Sequence, residues 1–62
     1  MTDFAVARRT DVTQQIIDRP ATIEQMRECV AKLRAEQQPG DPARIVGLMR
    51  RPRSPIWELA EP

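Results

Sequence analysis

Asp41-Pro42-Ala43-Arg44-Ile45-Val46-Gly47-Leu48-Met49-Arg50 is the segment on which the architecture turns. Asp41-Pro42 has the form of an N-cap acceptor followed by proline at the first helical position, and that signature predicts a helix over 43–50. The helix would bury Ile45, Met49 and either Val46 or Leu48. Gly47 weakens it by ~1 kcal/mol relative to alanine, and a glycine turned inward would let another helix approach closely. Arg50 and Arg51 suit the negative pole of the helix dipole, and Pro52 ends the element.

Immediately upstream, Thr22-Ile23-Glu24-Gln25 has the form of a capping box, and good helix formers follow it to about Gln37. Glu28 lies four residues before Lys32 in the favourable orientation. Pro39-Gly40 closes the element, with Gly40 suited to a left-handed cap or turn. The apolar residues Ile23, Met26, Val30 and Leu33 are spaced three, four and three. That stripe is too short for a coiled coil, so it predicts packing on neighbouring elements, with Ile45 and Met49 opposite, or on a second copy. Cys29 sits beside the stripe and reads as a structural thiol, since no histidine is present to activate it.

Towards the N-terminus the pattern is weaker. Val12, Ile16 and Ile17, with Thr10 or Asp11 as cap, predict a short helix over 10–18 that ends before Pro20. Residues 1–9 alternate loosely around Phe4 and Val6 and read as either a short strand or a frayed terminus, the terminus being the preferred reading. At the other end, Ser54-Pro55 repeats the cap-and-proline pattern with too few residues after it for a stable helix. The fold expected is therefore all-α: a helical hairpin or three-helix unit over 1–53, with a flexible tail over 54–62 that carries Trp57.

Composition narrows function. A chain of 62 residues forms at most one domain with a thin core, and only Phe4 and Trp57 are aromatic. A lone cysteine excludes an internal disulfide, and the absence of histidine together with the lack of a carboxylate cluster argues against a metal. A partner, or a second copy in a homodimer, is the remaining source of stability. No cofactor is expected, because Gly40 and Gly47 form no phosphate-cradling loop. Without histidine or tyrosine, and with no carboxylate pair placed in a cleft, the chain does not read as an enzyme. The cysteine usage and the lack of a long apolar run or signal-type start predict a cytoplasmic location without membrane contact.

The function expected is noncatalytic protein–protein interaction, as an accessory subunit, inhibitor or adaptor. Ile56, Trp57 and Leu59 are the candidate anchor, since aromatic side chains often fill pockets at interfaces. The contrasting reading is a small dimeric DNA-binding regulator. Arg44, Arg50, Arg51 and Arg53 form a local basic stripe with no acid among them, although 10 Lys and Arg against 9 Asp and Glu leave little overall steering. Two helices joined by a Pro-Gly turn have the order of a helix-turn-helix. The order strand-helix-helix from the N-terminus is in turn similar to that of ribbon-helix-helix repressors, in which Arg8, Arg9 and Thr10 would read bases and the tail would grip a partner as antitoxin tails do. That similarity is one of element order, without a matched motif.

Overall fold

In the computed structural model, which describes residues 2–61, the chain forms four strands and one helix. The strands are β1 (Asp3–Arg9), β2 (Gln14–Asp18), β3 (Arg44–Arg50) and β4 (Glu58–Glu61), and the helix is α1 (Ile23–Glu36). The strands make one antiparallel sheet in the order β2-β1-β3-β4. Because β2 and β3 both run antiparallel to β1, they are parallel to each other, and α1 is the crossover that joins them around the intervening strand. The expected all-α fold is thus corrected to a two-layer sheet-and-helix fold.

The helix forms for the reasons its sequence states. Thr22 Oγ1 accepts from the Gln25 backbone N–H at 3.2 Å, and Gln25 Oε1 accepts from the Ala21 N–H at the same distance. Met26 and Val30 are buried on the sheet, with Ile23, Cys29 and Leu33 around them.

The expected helix over 43–50 is strand β3. Ile45 packs beneath the helix with Val6, Met26 and Val30, while Val46 and Leu48 pack on the opposite side with Ala5 and Ala7. An internal strand covered on both faces needs apolar residues at successive positions, and a run that short has no periodicity to separate it from a buried helix. Pairing decided the matter: all seven residues of β3 align with β1, from Arg44 opposite Arg9 to Arg50 opposite Asp3. The Asp41-Pro42 signature does act as an acceptor, but Asp41 Oδ1 receives the Ala43 N–H at 2.9 Å in an Asx turn that leads into a strand. Ser54 Oγ does the same for the Ile56 N–H at 3.2 Å.

The expected short helix over 10–18 is likewise absent. Residues 14–18 are the edge strand β2, and Val12, expected in that helix, is 83% exposed in the loop. The loop is held by Thr10: its N–H donates to the Thr13 carbonyl at 2.8 Å, and its hydroxyl receives the N–H groups of Thr13 and Val12. Residues 3–9 are a strand, not a frayed terminus, and they occupy the interior of the sheet. The tail is not flexible, since 58–61 pair with β3 as β4. Neither DNA-binding geometry forms: no second helix follows the Pro-Gly turn, and β1 has neighbours on both edges, so it cannot pair with a second copy as a ribbon strand must.

Two turns set the connections around β3. The Asp41 N–H reaches the Gln38 carbonyl at 3.1 Å across Pro39-Gly40, with Gly40 at φ 88°. The Ser54 N–H reaches the Arg51 carbonyl at 3.1 Å across Pro52-Arg53, with Arg53 at φ 66°. Both place proline before a left-handed residue, the arrangement of a type II turn. Nothing lies within 4 Å of a Cβ added at Gly40, so Gly40→Ala should cost stability by backbone strain alone, ~1–2 kcal/mol. Arg53→Gly should relieve the same strain and be neutral or stabilising. Urea unfolding of both variants checks this, and equal destabilisation by the two would contradict the turn assignment.

Candidate binding face

The two faces of the sheet differ. Strand alternation puts Phe4, Val6, Ile45 and Gly47 under α1, and Ala5, Ala7, Arg9, Arg44, Val46, Leu48 and Arg50 on the other side. No helix covers that second face. Its centre is nevertheless closed to water, with Ala5, Ala7 and Leu48 at 0% exposure and Val46 nearly so. Trp57 packs against these residues and helps to close them off.

The register supplies those neighbours. Ile16 on β2 lies opposite Ala7, and Leu59 on β4 lies opposite Leu48. They flank the buried centre and remain 37% and 49% exposed. The result is an apolar band running across all four strands, Ile16–Ala7–Val46 and Ala5–Leu48–Leu59. Ile56, more exposed still, precedes β4.

Trp57 closes one end. Its ring packs on the Ala5, Ala7, Val46 and Leu48 cluster, with the Arg50 guanidinium 4.5 Å and the Arg19 guanidinium 5.2 Å from the ring centroid. Arg50 also forms an ion pair with Asp3 at 2.8 Å. Of the expected anchor residues, Trp57 is therefore half-buried on its own sheet, while Ile56 and Leu59 are exposed. The arginines expected to form one stripe are dispersed. Arg44 and Arg50 stand at opposite ends of β3, ~20 Å apart at strand spacing, Arg51 pairs with Glu58 at 3.4 Å, and Arg53 lies in a turn. The residues expected to pack the helices sit together beneath α1, where Ile23, Met26, Val30 and Leu33 meet Ile45, and Met49 is half-buried at the end of β3.

Sequence reasoning missed Arg9, Ile16 and Arg19 as members of this face, because a helix over 10–18 left them with no common surface. The signal available was the spacing Gln14-Ile16, weak because the strand register shifts before Asp18, which turns to the helix side.

Other chemistry is sparse. Among the described residues no group of three or more His, Cys, Asp or Glu side chains is placed to hold a metal, and no helix is long and apolar enough to cross a membrane. Among the described residues, one hollow is lined by Asp3, Phe4, Arg19 and Pro20 and another by Arg34, Gln37, Arg44 and Ile45. In the second, the side chains of Arg34 and Gln37 already satisfy strand carbonyls, Arg34 reaching Ile45 O at 2.8 and 3.0 Å and Gln37 reaching Ala43 O at 2.6 Å.

Cys29 is half-buried, and its thiol donates to Asp18 Oδ2 at 3.5 Å. Burial raises its pKa, and the Asp18 carboxylate raises it further. Asp3 and Asp41 go the other way. The Arg50 hydrogen bond holds Asp3 below the usual carboxylate range, and the Ala43 N–H, with Arg8 at 3.0 Å, does so for Asp41.

Comparison with protein-family models, with curated proteins and with solved structures finds no significant match to this chain.

Two expectations follow from these titrations. Cys29 should react with a disulfide reagent at pH 8 more slowly than a free thiol, and Asp18→Asn should speed it, since both causes that raise its pKa suppress the reactive thiolate. An unchanged rate in that variant would remove Asp18 from the account. For Asp3 and Asp41 the folded pKa lies below the unfolded one, so their stabilisation is complete above the unfolded value of ~3.9 and is lost as pH falls through the folded values. Near-UV circular dichroism of Trp57 during acid titration should weaken below about pH 4, and less steeply in Asp3→Asn.

Proposed function

We propose that this chain is a noncatalytic binding protein that docks a protein partner on the helix-free face of its sheet. The observation that carries the reading is a sheet face without a helix, on which Ile16 and Leu59 stay exposed on either flank of a dry centre that Trp57 packs against. A helix on one face and a bare, apolar-centred face on the other is half of a three-layer arrangement, and a partner supplies the missing layer. Trp57 contributes as the wall at one end of the band, held by Arg50 and Arg19, while Ile56 and Leu59 offer the free apolar surface beside it.

The absence of histidine and tyrosine supports a noncatalytic role. A cytoplasmic setting fits the single thiol, which is half-buried against Asp18. The helix pair first expected to make the interface has no part in this reading, because the Ile23/Met26/Val30/Leu33 stripe is spent on the sheet.

Ile16→Lys and Leu59→Lys place a charge at either end of the band, at positions exposed enough to tolerate it. Each variant should keep the circular dichroism spectrum of the wild type and lose the in-cell photo-crosslinked partner by tenfold or more, equivalent to ~1.4 kcal/mol. Full retention of that partner by both folded variants would refute the face as the docking site.

A further inference from the structure

The end of the bare face away from Trp57 carries two opposed positive charges. Arg9 and Arg44 are direct partners in the β1–β3 ladder and project to the same side as Ala7 and Val46. Like charges directly opposite each other across strands are destabilising. Among the described residues, the hydrogen-bond partner of the Arg9 guanidinium is a neutral group, the Gln14 side-chain carbonyl oxygen, at 2.5 and 2.8 Å. Among the described residues, Arg44 is exposed and pairs with no carboxylate. At the far end, Asp3 lies on this face and is already engaged by Arg50. The band is thus apolar in its centre, with unmatched cations at one end and matched ones at the other.

We infer that the occupant of this face is an acidic amphipathic helix of a protein partner, with its apolar stripe on the Ile16–Leu59 band and its carboxylates on Arg9 and Arg44. The inference rests on the docking reading above and adds the chemistry of the partner. A helix is required because a strand laid on a face would leave its own N–H and C=O groups unpaired, whereas a helix satisfies them internally. Acidity is required because burying Arg9 and Arg44 under a neutral or basic surface would desolvate two cations without compensation. A second copy of this chain is excluded as the occupant by the same charges, since two such faces would meet arginine to arginine. A single-stranded nucleic acid would need an open aromatic surface for stacking, and the Trp57 ring is already engaged by Arg50 and Arg19.

The test is titration of the full chain with three probes: a 14-residue helical peptide with a leucine stripe flanked by glutamates, the same peptide with lysine for glutamate, and a mixed-sequence DNA duplex. Binding is read from amide chemical shifts at Ala7 and Val46 and from Trp57 fluorescence. The acidic peptide should bind, weaken with salt, and lose tenfold or more in affinity in the R9Q/R44Q variant, while the lysine peptide should not bind. R44Q alone, at an exposed position, keeps the experiment readable if the double variant fails to fold.

Equal binding of the lysine peptide, or an unchanged affinity in both arginine variants, overturns the acidic-helix inference. Binding of the duplex with none of the acidic peptide overturns it in favour of nucleic acid. Absence of binding by all three probes also overturns it. The Ile16→Lys and Leu59→Lys crosslinking result stands apart from these outcomes, so a correct docking face with the wrong partner chemistry is distinguishable from a wrong face.

Discussion

Three successive residues of β1, Ala5, Val6 and Ala7, are fully shut off from solvent. A strand reaches that state only when both its edges are hydrogen-bonded and both its faces are covered. The rest of the molecule follows from meeting those conditions with few residues. β2 and β3 take the two edges, α1 takes one face through Met26 and Val30, and on the other face Trp57 packs against the centre while Ile16 and Leu59 flank it. Among the described residues no second helix lies on that face. The small size of Ala5 and Ala7 is what allows fringe residues to cover them.

That economy also shapes the proposed docking face. A face covered by fringe residues is dry in the middle and apolar at the rim, and its rim is where Ile16 and Leu59 stay half-exposed. Charge then divides the face into two ends. Arg50 is satisfied by Asp3 and by the Trp57 ring, so that end serves the protein's own stability. Arg9 and Arg44 face each other at the other end, and among the described residues neither is paired with a carboxylate. The single thiol stays apart from this face, beneath the helix and against Asp18.

The misreadings of the sequence share one cause. Asp41-Pro42 and Ser54-Pro55 carry an oxygen that accepts a nearby backbone N–H, followed by a residue with fixed φ. That chemistry starts a helix or closes an Asx or Ser turn equally well. Here both are turns, and extended backbone follows. The β1–β2 hairpin was equally unmarked, because Thr10 to Thr13 contains none of the Gly or Asn residues that announce a tight hairpin; threonine hydroxyls do the work instead. With the hairpin hidden, Ile16 and Arg9 could not be assigned to one surface.

Helix α1 was legible from the chain alone, since its cap, its stripe and its Pro-Gly stop are interactions between residues at most four apart. Ile45 does meet that stripe, but from a strand rather than from the helix expected over 43–50, and Met49 is not part of that cluster. Residues 3–9, 14–18, 44–50 and 58–61 were settled by their partners, because a strand draws its hydrogen bonds from residues far away in sequence. β1 and β3 are joined only through contacts some forty residues apart, from Asp3–Arg50 to Arg9–Arg44. Local propensity has no access to such contacts, and the bare face with its opposed arginines exists only once they are made.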